Sequence, residues 1–368
     1  IVSFLIMKGF QETVKDKIYS FSGHIIITKF SMNNSTEEQP MDYQIELYKD
    51  PGKYPFVRHV QEFATKVGVV KTDDEALGVL LKGVAKSFDL SSFEDNMVKG
   101  EFIQVQDSGY SSQVVLSKTI AQKLRKDVGD EIIVHFFQNP PRFRRLKVTG
   151  IYETNLSEYF DSRMVITDIR LIQRLNDWPD TVAGGLQVFV DDPDHVDNAG
   201  IAIGDMMDYD LNIERVSDKF IQVFEWLDLL SRQVNILQAI ILIVVCVNMI
   251  SIVLILVMER TQMIGMLKAL GAGNGFIRTV FVYNGVNLIL KGLLLGNLLG
   301  LGLCFIQYKF KLIELNPRDY YMSFVPISWH WEIVALLNVT TLGLVTLILL
   351  LPTMAISRIT PIKAIRFD

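Results

Sequence analysis

Residues 236–258 read ILQAIILIVVCVNMISIVLILVM, 23 residues without a charge. A bilayer hydrocarbon core about 30 Å thick is crossed by about 20 mostly apolar helical residues. This stretch therefore predicts a transmembrane helix, and it decides the class of the whole chain. Working outward, a second uncharged run covers 333–355, with Pro352 near its end. A third, 276–306, is apolar but interrupted by Lys291. Residues 1–7, IVSFLIM, are apolar and far too short to span. They are expected to be the end of a first, truncated span lacking roughly a dozen residues. A cleaved signal peptide would instead end in a small-residue site, which IVSFLIMKGF lacks.

Charge is distributed to match. From Ile236 onward there are 10 Lys/Arg and 5 Asp/Glu, which leaves 26 and 36 for the first 235 residues. An acidic, mixed-composition part thus precedes an apolar, slightly basic one. That balance argues against a nucleic-acid binder, a disordered chain and a disulfide-stapled mini-protein. The two cysteines, Cys246 and Cys304, both fall in predicted spans, so the water-facing part must be held by its own core.

Basic residues suggest an orientation. Arg260, Lys268 and Arg278 follow the 236–258 span, and Arg358, Lys363 and Arg366 lie in the tail. The loop 307–332 carries Lys309, Lys311 and Arg318. The excess predicts linker and tail on the cytoplasmic side. Trp226, Tyr308, Tyr320, Tyr321, Trp329 and Trp331 then form an interfacial belt on the other side. The expected layout is an α-helical membrane protein with four transmembrane helices and a large α/β (α+β) outer domain at 8–216. A stalk helix at 217–235 leads into the span 236–258. A linker at 259–275 precedes the span 276–306, the loop 307–332, the span 333–355 and the tail 356–368.

Within the outer domain, His24–Phe30, Val67–Lys71, Glu131–Phe137, Arg144–Tyr152, Arg163–Thr167 and Gln187–Val190 read as strands. Tyr54–Lys66 reads as a short helix ending before Gly68. Ser117 is placed to cap a helix through Lys126, and further helices are expected at 168–176, 193–207 and 218–231.

No chemistry of catalysis is evident. There is no GxxxxGK[ST] phosphate loop, and Gly271–Thr279 lacks the lysine such a loop needs. HExxH, CxxC and GxSxG are absent, and the five histidines have no ligand spacing. Asp191, Asp192, Asp194 and Asp197 cluster without the glycine and terminal glutamate of a calcium loop, so no metal site is expected.

The informative segment is the linker, MERTQMIGMLKALGA at 258–272. Met263, Ile264, Leu267 and Leu270 form an apolar stripe, and Gly271 suits a helix C-terminus. A short amphipathic helix here suits either a partner's groove or the membrane surface.

This segment, ERTQMIGMLKALGAGNGFIR, resembles the coupling-helix linker of FtsX/MacB-type ABC permeases. The tail PTMAISRITPIKAIR at 352–366 resembles the same family's C-terminal ending, and Lys8–Glu12 its post-span segment. Among these permeases the chain is most similar to the lipoprotein-releasing, LolC/LolE-type subunits. The resemblance implies a bacterial inner-membrane location, with the large domain in the periplasm and both termini cytoplasmic. It implies a cytoplasmic ATPase dimer that holds ATP and magnesium, so that this chain needs no cofactor. It further implies a second permease subunit, lipoprotein cargo and a periplasmic lipoprotein carrier. Glu259, Arg260, Met263, Ile264, Gly265, Leu267, Lys268, Leu270 and Gly271 become the ATPase-coupling residues. Export of peptides or small hydrophobic molecules, as in MacB-like pumps, and regulation of a cell-wall hydrolase, as in FtsX-like permeases, are the alternatives.

Three further features carry expectations. The hairpin FQNPPRFRR at 137–145 offers Phe137, Pro140, Pro141 and Phe143 as a carrier contact, or is a plain turn. Gly292, Gly296 and Gly300 recur every four residues, as in a helix-packing ridge. Lys291 is an intramembrane charge, a functional-site candidate by that fact.

Overall fold

The computed structural model describes residues 1–31, 37–71, 76–106 and 109–353. The tail at 356–368 lies outside them. Strands are β1 Ile25–Lys29, β2 Met41–Asp42, β3 Val57–Lys71, β4 Ala76–Val84, β5 Met97–Gly100, β6 Gln113–Ser117, β7 Glu131–Phe136, β8 Arg142–Tyr152, β9 Met164–Asp168, β10 Val182–Ala183, β11 Gly185–Val190 and β12 Leu211–Arg215. Helices are α1 Val2–Ser22, α2 Glu46–Lys49, α3 Leu90–Phe93, α4 Lys118–Leu124, α5 Ile169–Leu175, α6 Val196–Gly204, α7 Val216–Lys219, α8 Ile221–Glu259, α9 Thr261–Ala269, α10 Asn274–Phe310, α11 Pro317–Tyr320 and α12 Trp331–Thr353. The chain divides into two units. One is Thr13–Phe224 with Leu315–Ser323; the other is Ile1–Glu12, Glu225–Glu314 and the described part of Phe324–Asp368.

The first unit is built on a mixed sheet of order β12-β1-β11-β3-β4-β9-β6-β8-β5, with β7 pairing to β3 and β8. β4 and β9 run parallel, as do β6 and β8. Val114, Leu116, Val134, Leu146, Val148 and Val165 from its strands pack with Ile169 and Ile172 of α5. Ser117 caps α4 as its spacing predicts, accepting the Ile120 N–H at 3.0 Å, and Arg125 closes it at φ 52°. Asp168 likewise starts α5, accepting from the Arg170 amide at 2.9 Å.

One local expectation fails. Residues 54–66 are not a helix; the chain from Val57 to Lys71 is one strand. Val57, Val60, Phe63, Ala64 and Val70 are all buried, and so are Gln61, Glu62, Thr65 and Lys66 between them. Because both faces of β3 are covered, its apolar residues fall at spacings of three and four that imitate a helix. Gly68 is not a stop. A Cβ there would lie 2.6 Å from Val134 Cγ1, so the glycine admits the crossing of β7.

The apolar start at residues 1–7 opens a longer helix. It continues as one helix, α1, to Ser22. Its last turn is held inside the sheet unit. Phe21 stacks on Phe160 at 4.4 Å, and its carbonyl accepts from the buried Lys82 ammonium. Burial, and then Lys219, lower that ammonium to about 7.

In the second unit, α8, α10 and the stretch Trp331–Leu350 of α12 are long and apolar enough to cross a membrane. From residue 221 onward, the stalk expected at 217–235 and the span at 236–258 form a single helix of 39 residues, Ile221–Glu259. Only a break at Phe220 separates it from α7. Residues of α1 join this unit: Leu5 packs with Cys304 and Val334, and Val2 approaches Gly300. Tyr308, Trp329 and Trp331 form an aromatic cluster, with the tryptophans stacked at 5.6 Å.

Candidate functional site

At one end of the membrane helices the chain turns twice in fifteen residues. α8 ends at Glu259, and Thr261 Oγ1 donates back to the Met258 carbonyl at 2.7 Å. α9 then closes on Gly271, whose φ of +92° is open to glycine and costly for other residues. The Gly271 N–H reaches the Lys268 carbonyl at 3.1 Å, and the Ala272 N–H reaches that of Leu267 at 2.9 Å. This Schellman pair ends the helix and re-aims the chain into α10.

The sides of α9 differ. Ile264 and Gly265 are buried, and Leu267 is half-buried. They face Val253 and Val257 of α8, Ile277 and Phe281 of α10, and Leu349 of α12. The opposite side exposes Met263, Met266 and, at 85 %, Leu270, with Met258 and Phe276 exposed nearby. Glu259 and Arg260 are also exposed. The apolar stripe of the sequence is thus split. Ile264 and Leu267 hold the turn onto the bundle, while Met263, Met266 and Leu270 remain exposed. Met266 carries no signal in the original spacing; it joins the outer side because α9 leans on Ile264.

The glycines divide as well. A Cβ on Gly292 or Gly296 would meet no atom within 4 Å among the described residues, whereas one on Gly300 would meet Val2 at 3.3 Å. Between α10 and α12, Gly285 is closely approached by Leu349. Asn338 bonds between helices, to Asn297. Ser251 bonds within its own helix, to the Val247 carbonyl. Lys291 is exposed on α10.

The hairpin between β7 and β8 raises Phe137 and Phe143 into solvent, 82 % and 65 % exposed. Its base is fastened to the end of α5. Arg142 donates to the carbonyls of Arg174 and Leu175 and grips Asp177 with both terminal nitrogens. The Arg142 hydrogen bond holds the Asp177 carboxyl below its usual range. Pro140 and Pro141 are exposed at the tip. Beside this anchor lies a cleft of about 510 Å³ lined by Tyr110, Arg170, Arg174 and Trp178.

Another contact has no sequence signal, because its partners are 318 residues apart. Glu12 of α1 accepts from the Ser328 hydroxyl at 2.5 Å and pairs with His330 Nε2 at 2.6 Å. Burial alone would raise the Glu12 carboxyl; the Ser328 and His330 hydrogen bonds outweigh it and hold it below the usual range. No cluster of three or more metal-ligating side chains occurs among the described residues.

The matched families follow the two kinds of structure. Residues 1–205 match the MacB-like periplasmic core domain, and residues 235–361 the FtsX-like permease C-terminal family. Over 385 residues the chain is 24% identical to the lipoprotein-releasing system transmembrane protein LolE of Haemophilus influenzae, covering 99% of this chain and 90% of that one. It is 23% identical over 401 residues to LolC of Xylella fastidiosa, covering 100% and 90%. To LolC of Neisseria meningitidis serogroup B it is 22% identical over 390 residues, with 100% and 90% covered. Among solved structures, the periplasmic region of MacB from Actinobacillus actinomycetemcomitans aligns with 55% of this chain and 92% of its own, at 14% identity and a TM-score of 0.38. The chain belongs to the FtsX-like ABC permeases that carry a MacB-like periplasmic core domain.

Proposed function

We propose that this chain is the permease subunit of an inner-membrane ABC transporter that releases lipoproteins to a periplasmic carrier. The observation that carries this reading is the similarity to LolE and LolC along nearly the whole chain. Both termini are cytoplasmic, so α9 faces a separate ATPase dimer, and the ATPase binds the nucleotide and magnesium. Glu259, Arg260, Met263, Met266, Lys268 and Leu270 contact the ATPase groove, while Ile264, Gly265, Leu267 and Gly271 hold α9 in place. A push on α9 passes into α8, whose 39 residues run about 58 Å without interruption. Movement is thus transmitted mechanically toward the outer domain. The Phe137–Phe143 hairpin and the neighbouring Arg174/Trp178 cleft contact the carrier. A second permease subunit completes the assembly.

Purification of the native complex in mild detergent, followed by a mass-spectrometric inventory, tests this reading. An ABC ATPase together with acylated protein is the expected result. A cell-wall hydrolase or an outer-membrane duct in place of the acylated protein would replace the reading by the FtsX-like or MacB-like alternative.

A further inference from the structure

A groove of about 680 Å³ runs along the half of α10 remote from α9. Leu294, Leu298, Phe305 and Tyr308 form one wall, and Trp329 and Trp331 the other. At 1.5 Å per residue, Leu294 to Tyr308 covers about 21 Å. Half of a bilayer with its headgroups is about 20–22 Å. The groove is therefore one leaflet deep, and its aromatic end stands at the interfacial level where tryptophan and tyrosine gather. With α9 cytoplasmic, that leaflet is the periplasmic one.

The first helix does not fill it. At the level where Leu5 of α1 packs on Cys304, Phe305 and Tyr308 stay 54 % and 58 % exposed. Further along, Val2 lies against Gly300, and Leu298 is about 160° around α10 from that glycine. Nor does the groove suit a packed helix. Close approach of membrane helices favours small residues. The ridge Gly292–Gly296–Gly300 is centred on the opposite side of α10, about 170° away, and a single glycine, Gly302, lines the groove. Inside, Asn297 has both ends of its amide on Asn338, so the floor presents no stranded amide and accepts a hydrocarbon chain.

The rim carries charge of both signs. Lys309 lies seven residues beyond Gly302, about 20° from it around the helix, and so continues the α10 wall past the aromatic level. It is exposed, with the Phe310 ring 5.8 Å from its ammonium. On the other wall Glu332 follows Trp331 and is exposed as well. One wall thus ends in a cation and the other begins with an anion. We propose that the groove binds one acyl chain of a zwitterionic phospholipid of the phosphoethanolamine class, whose phosphate meets Lys309 and whose ammonium meets Glu332. The lipid is a resident of the permease, distinct from its cargo.

The test uses the full chain in its native complex, reconstituted in nanodiscs of equal phosphatidylethanolamine and phosphatidylglycerol. Lipid retained after detergent extraction is read by native mass spectrometry, and phosphatidylethanolamine should be enriched. K309E should lower that retention about fivefold. L298W, which fills the groove, should abolish it. E332Q should leave lipid bound but remove the preference for phosphatidylethanolamine. A photo-crosslinking amino acid at position 298 should give an adduct with phospholipid. Undiminished retention in both K309E and L298W would overturn the proposal, as would a parent that prefers phosphatidylglycerol. So would crosslinks from position 298 to a polypeptide, whether a second copy, another subunit or an acylated cargo protein.

Discussion

Asn297 of α10 and Asn338 of α12 exchange side-chain hydrogen bonds, Nδ2 to Oδ1 at 2.8 Å in one direction and 3.3 Å in the other. Asn338 also donates to the Val334 carbonyl, four residues back, at 2.8 Å. The pair sets the register of two antiparallel membrane helices. Replacing Asn338 by leucine strands the Asn297 amide and is expected to cost about 1 kcal/mol. Replacing both by leucine removes the stranded group and should recover part of that loss. Thermal unfolding of the detergent-solubilised chain, compared across the single and double variants, checks the coupling.

Ile264 and Leu270 are six residues apart on one turn-bearing segment and should respond oppositely. Ile264 is fully buried against Val257, Ile277 and Phe281, so I264A should destabilise the helical bundle by about 2–4 kcal/mol. Leu270, largely exposed, should tolerate serine within about 0.5 kcal/mol. In reconstituted complex the triple variant M263S/M266S/L270S should lose most of the stimulated ATPase activity while melting like the parent. Equal melting of I264A and the parent would remove the assigned division of α9 into two sides.

Arg142 ties the β7–β8 hairpin to α5. R142A deletes contacts to two carbonyls and the paired contact to Asp177 and should cost about 1–3 kcal/mol. Hydrogen exchange of the amides in Glu131–Phe136 should rise with it. F137S/F143S, by contrast, removes only exposed rings; stability should stay unchanged while recovery of any periplasmic carrier falls. Intact carrier binding by that variant would remove the hairpin from the contact.

His24 sits buried behind β11, where Nδ1 accepts the Val190 N–H at 3.3 Å and the ring lies 4.2 Å from Tyr19. Burial, and secondarily Arg58, lower its pKa to about 4. In the unfolded chain the imidazole takes its proton near 6.5. Between these values the unfolded state binds more protons, so stability falls as pH drops from about 6.5 to 4, by up to about 3 kcal/mol. Above 6.5 the contribution is constant. H24Q should be less stable at neutral pH and lose less on acidification. Melting of both chains between pH 4.5 and 7.5 checks the difference in slope.

Sequence by itself determined the membrane class, the existence of three of the long helices and the break at Gly271, because each is a local matter. Twenty uncharged apolar residues have no favourable place in water, and a helix closing at positive φ selects glycine. The cap at Ser117 and the helix start at Asp168 were legible for the same reason, since each side chain bonds an amide two or three residues away. What depends on a distant neighbour was not legible. Residues 57–66 of β3 passed for a helix because both faces of that strand are covered by segments distant in sequence, among them α5, whose Ile169 and Ile172 pack in one core with Ala64 and Val70. The stripe on α9 gave the right residues but not their sides, which only Val257, Ile277 and Leu349 decide. The glycine ridge was visible as spacing, yet the approach of Leu349 to Gly285 was not, because it is set by a leucine on another helix. Periodicity records how much of an element is apolar; which neighbour each apolar group meets is a property of tertiary packing alone.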